Sequence, residues 1–371
     1  MTRVPVGPVS GRDDEGRATV AVVPPGRGSR RSRALAAVLA VSARILADVV
    51  PLGPVPLGGL RLGLSVAGRL DLARGTRVAR DRTGPVPGRW VVPPGTGDSP
   101  HVLYYLHGGG FVMGSSASHI GVAARIARAA GVPAFLPDYR RAPEAPFPAA
   151  PDDVRAGFDH LRIRGYAARD IVIAGDSAGG HLAYGLVVEL DREGADLPAG
   201  VALVSPWLDL WLRTGWEREA ARRDPFLSVK FADRARRAYA PDGDPADPRL
   251  DLLAATPGPH WPPFFVQGGE TEAITGDTQA LEGDSRRGGS APRTADLART
   301  GTRVARIPPA RPRGGRCGPA PRTLRARRSH TRSRSVLTGR YSAGARAFAS
   351  RGAVSARCHG RAPPAANFSS M

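Results

Sequence analysis

Two glycine-framed segments hold the residues best able to do covalent chemistry. Gly175-Asp-Ser-Ala-Gly179 follows the apolar run Ile171–Ala174 and precedes a helical pattern, the strand-turn-helix setting of a nucleophile elbow. A turn that tight leaves no room for side chains beside Ser177 and strains the backbone of the serine itself. The hydroxyl then projects from the C-terminal edge of a sheet, above a helix N-terminus that favours negative charge. His107-Gly-Gly-Gly110-Phe111 closes the run Leu103–Leu106. Three glycines allow close backbone approach and leave N–H groups free to meet a developing oxyanion. Losing one such donor typically costs about 3 kcal/mol. Gly109 and Gly110 are the expected donors from this loop, and Ala178 supplies a third. His107 stands 70 residues before Ser177 and reads as a brace for the loop rather than a base. Gly108 and Asp176 complete the two motifs.

The surrounding rhythm says what must position them. Strands are expected at Val78–Arg82, Arg89–Val92, His101–His107, Val132–Leu136, Ile171–Ala174, Gly200–Val204 and Pro263–Gln267. Helices are expected at Ile120–Ala130, Pro151–Arg164 and Gly180–Leu190, with two more before the first strand, over Ala34–Val50 and about Leu60–Ala73. Alternation of this kind implies an α/β fold with a mostly parallel sheet covered on both faces, and short continuous apolar runs suit strands buried on both sides. Ala34–Val50 follows Arg30, Arg31 and Arg33, as in a signal peptide. The pattern continues through Arg44, Ile45, Leu46 and Val49, which favours an amphipathic helix covering something apolar.

Composition narrows the field. Two cysteines exclude a disulfide scaffold and a paired-cysteine zinc cluster, and no apolar run reaches membrane-spanning length. The net charge of +20 is concentrated at one end: Ser285–Met371 holds 20 arginines and one acid, Asp296, leaving +1 on the first 284 residues. Only 9 of those last 87 residues are Leu, Ile, Val or Phe, below the share that supports a core. Both cysteines, Cys317 and Cys358, lie there. The division expected is a disordered 1–33, a folded domain over 34–284 with helices at about 34–73 as a cap, and an arginine-rich disordered tail over 285–371. Arg325–Arg334 could bind polyanions with steep salt dependence, but a solvated or out-of-frame tail is the favoured reading. A cytoplasmic location is expected.

The segments His107–Phe111, Asp138-Tyr-Arg-Arg-Ala-Pro-Glu144, Phe147–Ala150 with Asp152-Asp153, Gly175–Gly180 and Ser205-Pro-Trp-Leu-Asp209 together resemble the hormone-sensitive-lipase-like branch of the α/β-hydrolases. The resemblance spans about residues 34–282. It implies the α/β-hydrolase fold, a small-molecule carboxylic ester as substrate, no metal and no organic cofactor, and a cap built by the N-terminal helices. It also implies an acid after Phe264–Gln267. Glu272, followed by Ile274 and Asp277, matches that spacing best; Glu270 and Asp277 compete, and the plainer alternative is a solvated acidic loop. Asp209 reads as a structural or pocket-lining residue. Asp152 and Asp153 read as capping or pairing groups at a helix start.

In this fold the triad runs Ser, acid, His. Trp261–Ser329 contains no histidine. Gln279-Ala-Leu-Glu282 still looks like the next helix of the family, and then Arg, Gly, Pro and Ser take over. Lys230 is the only lysine among 53 basic residues, as in a GC-rich gene whose wrong frames read as Arg, Ala, Gly and Pro. A frame shift near Glu282–Gly289 is therefore the favoured explanation, with Thr302–Ile307 imitating a last strand. His330 or His359 reaching back is the second, and a pocket kept for binding without catalysis is the third. His181 reads as a packed helix residue, and His119 as a pocket-lining one. His101, His160 and His260 have no supporting context.

Overall fold

The computed structural model describes Arg44, Asp48, Val49 and residues 51–307 apart from 71, 73, 74, 225, 259, 270, 271 and 288–301. The expected 1–33 segment, Glu270, both cysteines, His330 and His359 lie outside the described residues.

One eight-stranded sheet runs in the order β1-β2-β4-β3-β5-β6-β7-β8. Its strands are β1 (Arg77–Asp81), β2 (Gly88–Val92), β3 (Val102–Leu106), β4 (Ala134–Pro137), β5 (Ile171–Asp176), β6 (Gly200–Val204), β7 (Phe264–Gly269) and β8 (Thr302–Ile307). The five central strands, from β4 through β7, are mutually parallel. β1 and β2 pair antiparallel at one edge, and β8 pairs antiparallel with β7 at the other. Every residue of β2, β3 and β4 is buried, which is why β3 and β4 carry no charged residue instead of alternating; β2 buries one charge, Arg89, which pairs with Asp138.

Seven helices are described: α1 (Pro54–Leu70), α2 (Ser116–Ala130), α3 (Ala149–Ile163), α4 (Ala178–Arg192), α5 (Gly215–Ala221), α6 (Val229–Tyr239) and α7 (Thr275–Arg287). Leu103 and Tyr105 pack with Ile120, Ala123, Ala124 and Ala127 of α2 on one face. Tyr104 and Leu106 pack with Val154, Phe158, Leu161, Leu182 and Val187 of α3 and α4 on the other. The chain leaves β3 through α2 to β4, then crosses back through α3 to β5 on the opposite side of β3. This reversal makes the C-terminal ends of β3 and β5 a topological switch point, where such sheets open a crevice for ligands.

The expected elements recur with shifted ends. α1 begins at Pro54 rather than near Leu60, since prolines are tolerated in a first turn. α2 begins four residues before Ile120, where Ser115 and Ser118 form a reciprocal capping box. α5 and α6 were not expected from the sequence. The stretch expected to be disordered from residue 285 contains the last turn of α7 and the strand β8. Among the described residues, no helix is long and apolar enough to cross a membrane.

Candidate functional site

Ser177 follows β5 as the first non-helical residue before α4, with φ 52° and ψ −120°. That is left-handed backbone in a residue with a side chain, a strained state that its surroundings must enforce. The Ser177 N–H donates to Val204 O at 3.0 Å, and its carbonyl accepts from Trp207 N at 3.1 Å and from His181 N at 3.1 Å. The glycines leave no alternative. A Cβ on Gly175 would stand 2.3 Å from Gly179 O, and one on Gly179 would stand 2.1 Å from Leu106 O and 2.7 Å from His107 O. α4 can therefore start this close to the end of β3 only without side chains there.

The 107–111 loop leaves β3 beside this turn, because Leu106 is the register partner of Gly175. Gly109 and Gly110 have φ 119° and 61°, and Phe111 has φ 63°. Val112 N and Met113 N donate back to Gly109 O at 3.2 and 2.8 Å. Among the described residues, no group accepts from the N–H of Gly109, Gly110 or Ala178. Phe111 is fully buried, stacked on Tyr239 at 3.8 Å and edge-on to His181 at 5.5 Å. α6 thus roofs the loop, with Ala235 and Phe231 beside Gly110. Arg44 reaches this roof through Glu219 and the carbonyls of Asp224 and Leu227, and Arg234 donates to Asp48 O at 2.9 Å. Arg61 of α1 pairs with Glu144 at 2.7 Å and donates to Val112 O at 2.8 Å. The segment before β1 therefore lies over the glycine loop and its roof.

His107 is buried, with Nδ1 2.9 Å from Gly108 O and its ring stacked 4.1 Å from Tyr139. Burial, with His119 nearby, pushes it down to about 3, so it stays neutral and fixed in the loop. His181 contacts Trp207 O and Arg249 O, both at 3.1 Å, and burial takes it down to about 4. His160 is buried against Gly84, while His101 faces Asp170 at 3.4 Å. His260 is exposed. His119, on α2, turns its Nε2 to Asp176 at 3.5 Å.

The acidic turn after β7 holds two of the three acid candidates in different states. Asp277 is buried, and its Oδ2 accepts from Leu208 N at 2.6 Å and Asp209 N at 2.9 Å. Burial raises it to about 7 against these two hydrogen bonds. It is a brace for the 205–209 loop. Glu272 sits at the turn itself. Its carbonyl accepts from Thr275 Oγ1 at 2.9 Å and Arg218 Nε at 3.3 Å. Its Oε2 is buried, and among the described residues nothing donates to it. A buried acceptor without a donor needs a partner.

Asp209 accepts from Trp211 N at 3.2 Å and Arg213 N at 2.6 Å, and forms a bridge with Asp251. Asp153 binds Arg140 through its backbone N–H at 2.7 Å and its guanidinium, while Asp152 lies 3.8 Å from Arg249. Sequence reasoning missed Asp224, whose carboxylate holds Phe226 N, Leu227 N and Ala273 N at 2.7–2.9 Å and so joins the roof to the acidic turn. It also missed α6, although Ser228 caps that helix and Val229, Phe231, Ala232, Ala235 and Tyr239 are its buried face. Among the described residues, no cluster of His, Cys, Asp and Glu could hold a metal ion.

A glycine cradle with free amides beside a strained serine, at the switch point of a parallel sheet, defines the hydrolase class. The alpha/beta hydrolase fold model matches residues 103–294. The chain is 33% identical over 221 residues to an acetyl-hydrolase of Streptomyces hygroscopicus, covering 56% of this chain and 74% of that one. It is 34% identical over 184 residues to the carboxylic ester hydrolase LipN of Mycobacterium tuberculosis, covering 46% and 48%. Among solved structures, an esterase from the bacterial hormone-sensitive lipase family superposes with a TM-score of 0.61 at 30% identity, over 71% of this chain and 86% of that one. The chain belongs to the α/β-hydrolase fold family, among relatives that are esterases and acetyl-hydrolases.

Proposed function

We propose that this chain is a serine hydrolase of small carboxylic esters, with Ser177 as nucleophile, Gly109, Gly110 and Ala178 as oxyanion donors, and Glu272 as the acid of the triad. The single observation that carries the reading is the strained Ser177 turn packed against the end of β3, where the open amides of the glycine loop begin. Ser177 Oγ bonds to the ester carbonyl carbon, and the negative charge on the carbonyl oxygen is met by the three N–H groups. Collapse expels the alcohol and leaves an acyl-serine, which water then opens to the acid. Gly108, His107 and Asp176 hold the loop. The orphan Oε2 of Glu272 suits the N–H of an imidazole, whose tautomer the acid would fix.

The proton of Ser177 needs a base, and Trp261–Ser329 has no histidine to supply one. The chain as encoded therefore acylates slowly. A fluorophosphonate followed by intact mass should add one phosphonyl group, absent from Ser177→Ala. Labelling elsewhere, or none while the chain saturably binds a small apolar carboxylate, would favour a pocket kept for binding. The arginine-rich tail is not assigned a role in the reaction.

A further inference from the structure

We propose that His119, paired with Asp176, is a positioning residue that locks the Gly108–Gly110 loop to the Ser177 turn. The inference rests on the hydrolase reading for its catalytic consequence, but the lock itself is a matter of geometry. Asp176 immediately precedes the serine, and its Oδ1 accepts from Tyr105 Oη at 2.8 Å and from Gly108 N at 3.1 Å. It thus ties the loop backbone to the elbow backbone through an acceptor. Space behind it is closed: a Cβ on Gly108 would stand 2.2 Å from Asp176 Oδ2.

The protonation state of His119 follows from its neighbours. Ser118 Oγ donates to Ser115 O at 2.8 Å and accepts from Ser115 N at 2.8 Å. His119 Nδ1 stands 2.8 Å from that hydroxyl. The other ring nitrogen, Nε2, faces Asp176 Oδ2 at 3.5 Å, and the imidazolium presents a proton at both nitrogens. A half-buried carboxylate beside a charged ring keeps its own charge, and a charged acceptor holds Gly108 N–H more tightly than a neutral one.

The directions agree. Burial pushes His119 down, but Asp176 outweighs it and the ring ends above 6.5. Burial pushes Asp176 up, but His119 and Tyr105 outweigh it and the carboxyl ends below 3.8. The other titratable groups facing the pair are His107, whose ring is 5.6 Å from His119, and Tyr105 and Tyr139, both held neutral well past their ordinary range by burial. Arg125 acts on Tyr105 and Arg141 on His107. Of these, His119 is the group whose titration is moved up from 6.5 by the pair. The lock is therefore at full strength below pH 6.5 and weakens as pH rises through the raised value of His119, which removes the cation while Asp176 keeps its charge.

The test follows the His119 ring and the Gly108 amide together by NMR from pH 5.5 to 9, with His119→Gln to assign the ring. The expected result is a His119 midpoint above 6.5, with the Gly108 amide shifting at the same midpoint and losing that shift in His119→Gln. Phosphonylation of His119→Gln should be about tenfold slower than wild type at pH 6, less than the loss of a whole donor, with the gap closing at higher pH. A His119 midpoint at or below 6.5, a Gly108 amide indifferent to it, or equal labelling rates would overturn the proposal. If wild type is never labelled, the hydrolase reading fails, while the coupled titration still decides the lock.

Discussion

Gly179→Ala should lower stability by about 3 kcal/mol, at the upper end for overpacking, and abolish phosphonylation of Ser177. The added methyl would stand 2.1 Å from Leu106 O and 2.7 Å from His107 O. Both are backbone atoms at the end of β3, which is paired with β4 on one side and β5 on the other. Neither can withdraw without breaking the sheet, so α4 must move and carry the elbow with it. Gly63→Ala is the control: it lies inside α1 with nothing within 4 Å of its would-be Cβ, and removing a helical glycine should stabilise by up to about 1 kcal/mol. Urea unfolding midpoints measure both. An unchanged midpoint for Gly179→Ala would mean that the turn does not pack against β3.

The second large effect concerns the base. Hydrolysis of p-nitrophenyl butyrate by the chain as encoded should fall about 10²–10⁴-fold below that of the same fold given a general base. His330→Ala should change nothing. We propose that a one-base insertion or deletion within codons 280–290 restores a strand followed by a histidine-bearing loop, and that turnover rises by that factor. The edge of the sheet supports this reading. β7, α7 and β8 are joined in sequence as strand, helix and strand, a connection that ordinarily returns a parallel strand. Here β8 is antiparallel to β7 over six residue pairs. Robust hydrolysis abolished by His330→Ala would defeat the frame explanation.

Much of the frame was legible because single residues carried it. Ile171–Ala174 and Gly200–Val204 are apolar runs with no polar interruption, and they became β5 and β6 within two residues. Gly175, Gly179 and the 108–110 glycines are where the chain folds back on itself, so their spacing alone predicted the crowding. α6 was hidden by its chemistry: Lys230, Arg234, Arg236 and Arg237 crowd its sequence, and two of its five buried residues are small alanines. The His119–Asp176 pair was illegible for another reason. The two residues are 57 positions apart and meet only because α2 covers the face of the sheet from which β5 delivers the elbow. The two acids after β7 could be ordered by spacing but not by state; only burial and donors separate a bracing Asp277 from a Glu272 with an open oxygen.

The most direct test of the central claim is the crystal structure of the phosphonylated protein. The account predicts phosphorus bonded to Ser177 Oγ, with one phosphonyl oxygen about 3 Å from the amide nitrogens of Gly109, Gly110 and Ala178. An adduct on Ser177 whose oxygens meet none of those amides would contradict it.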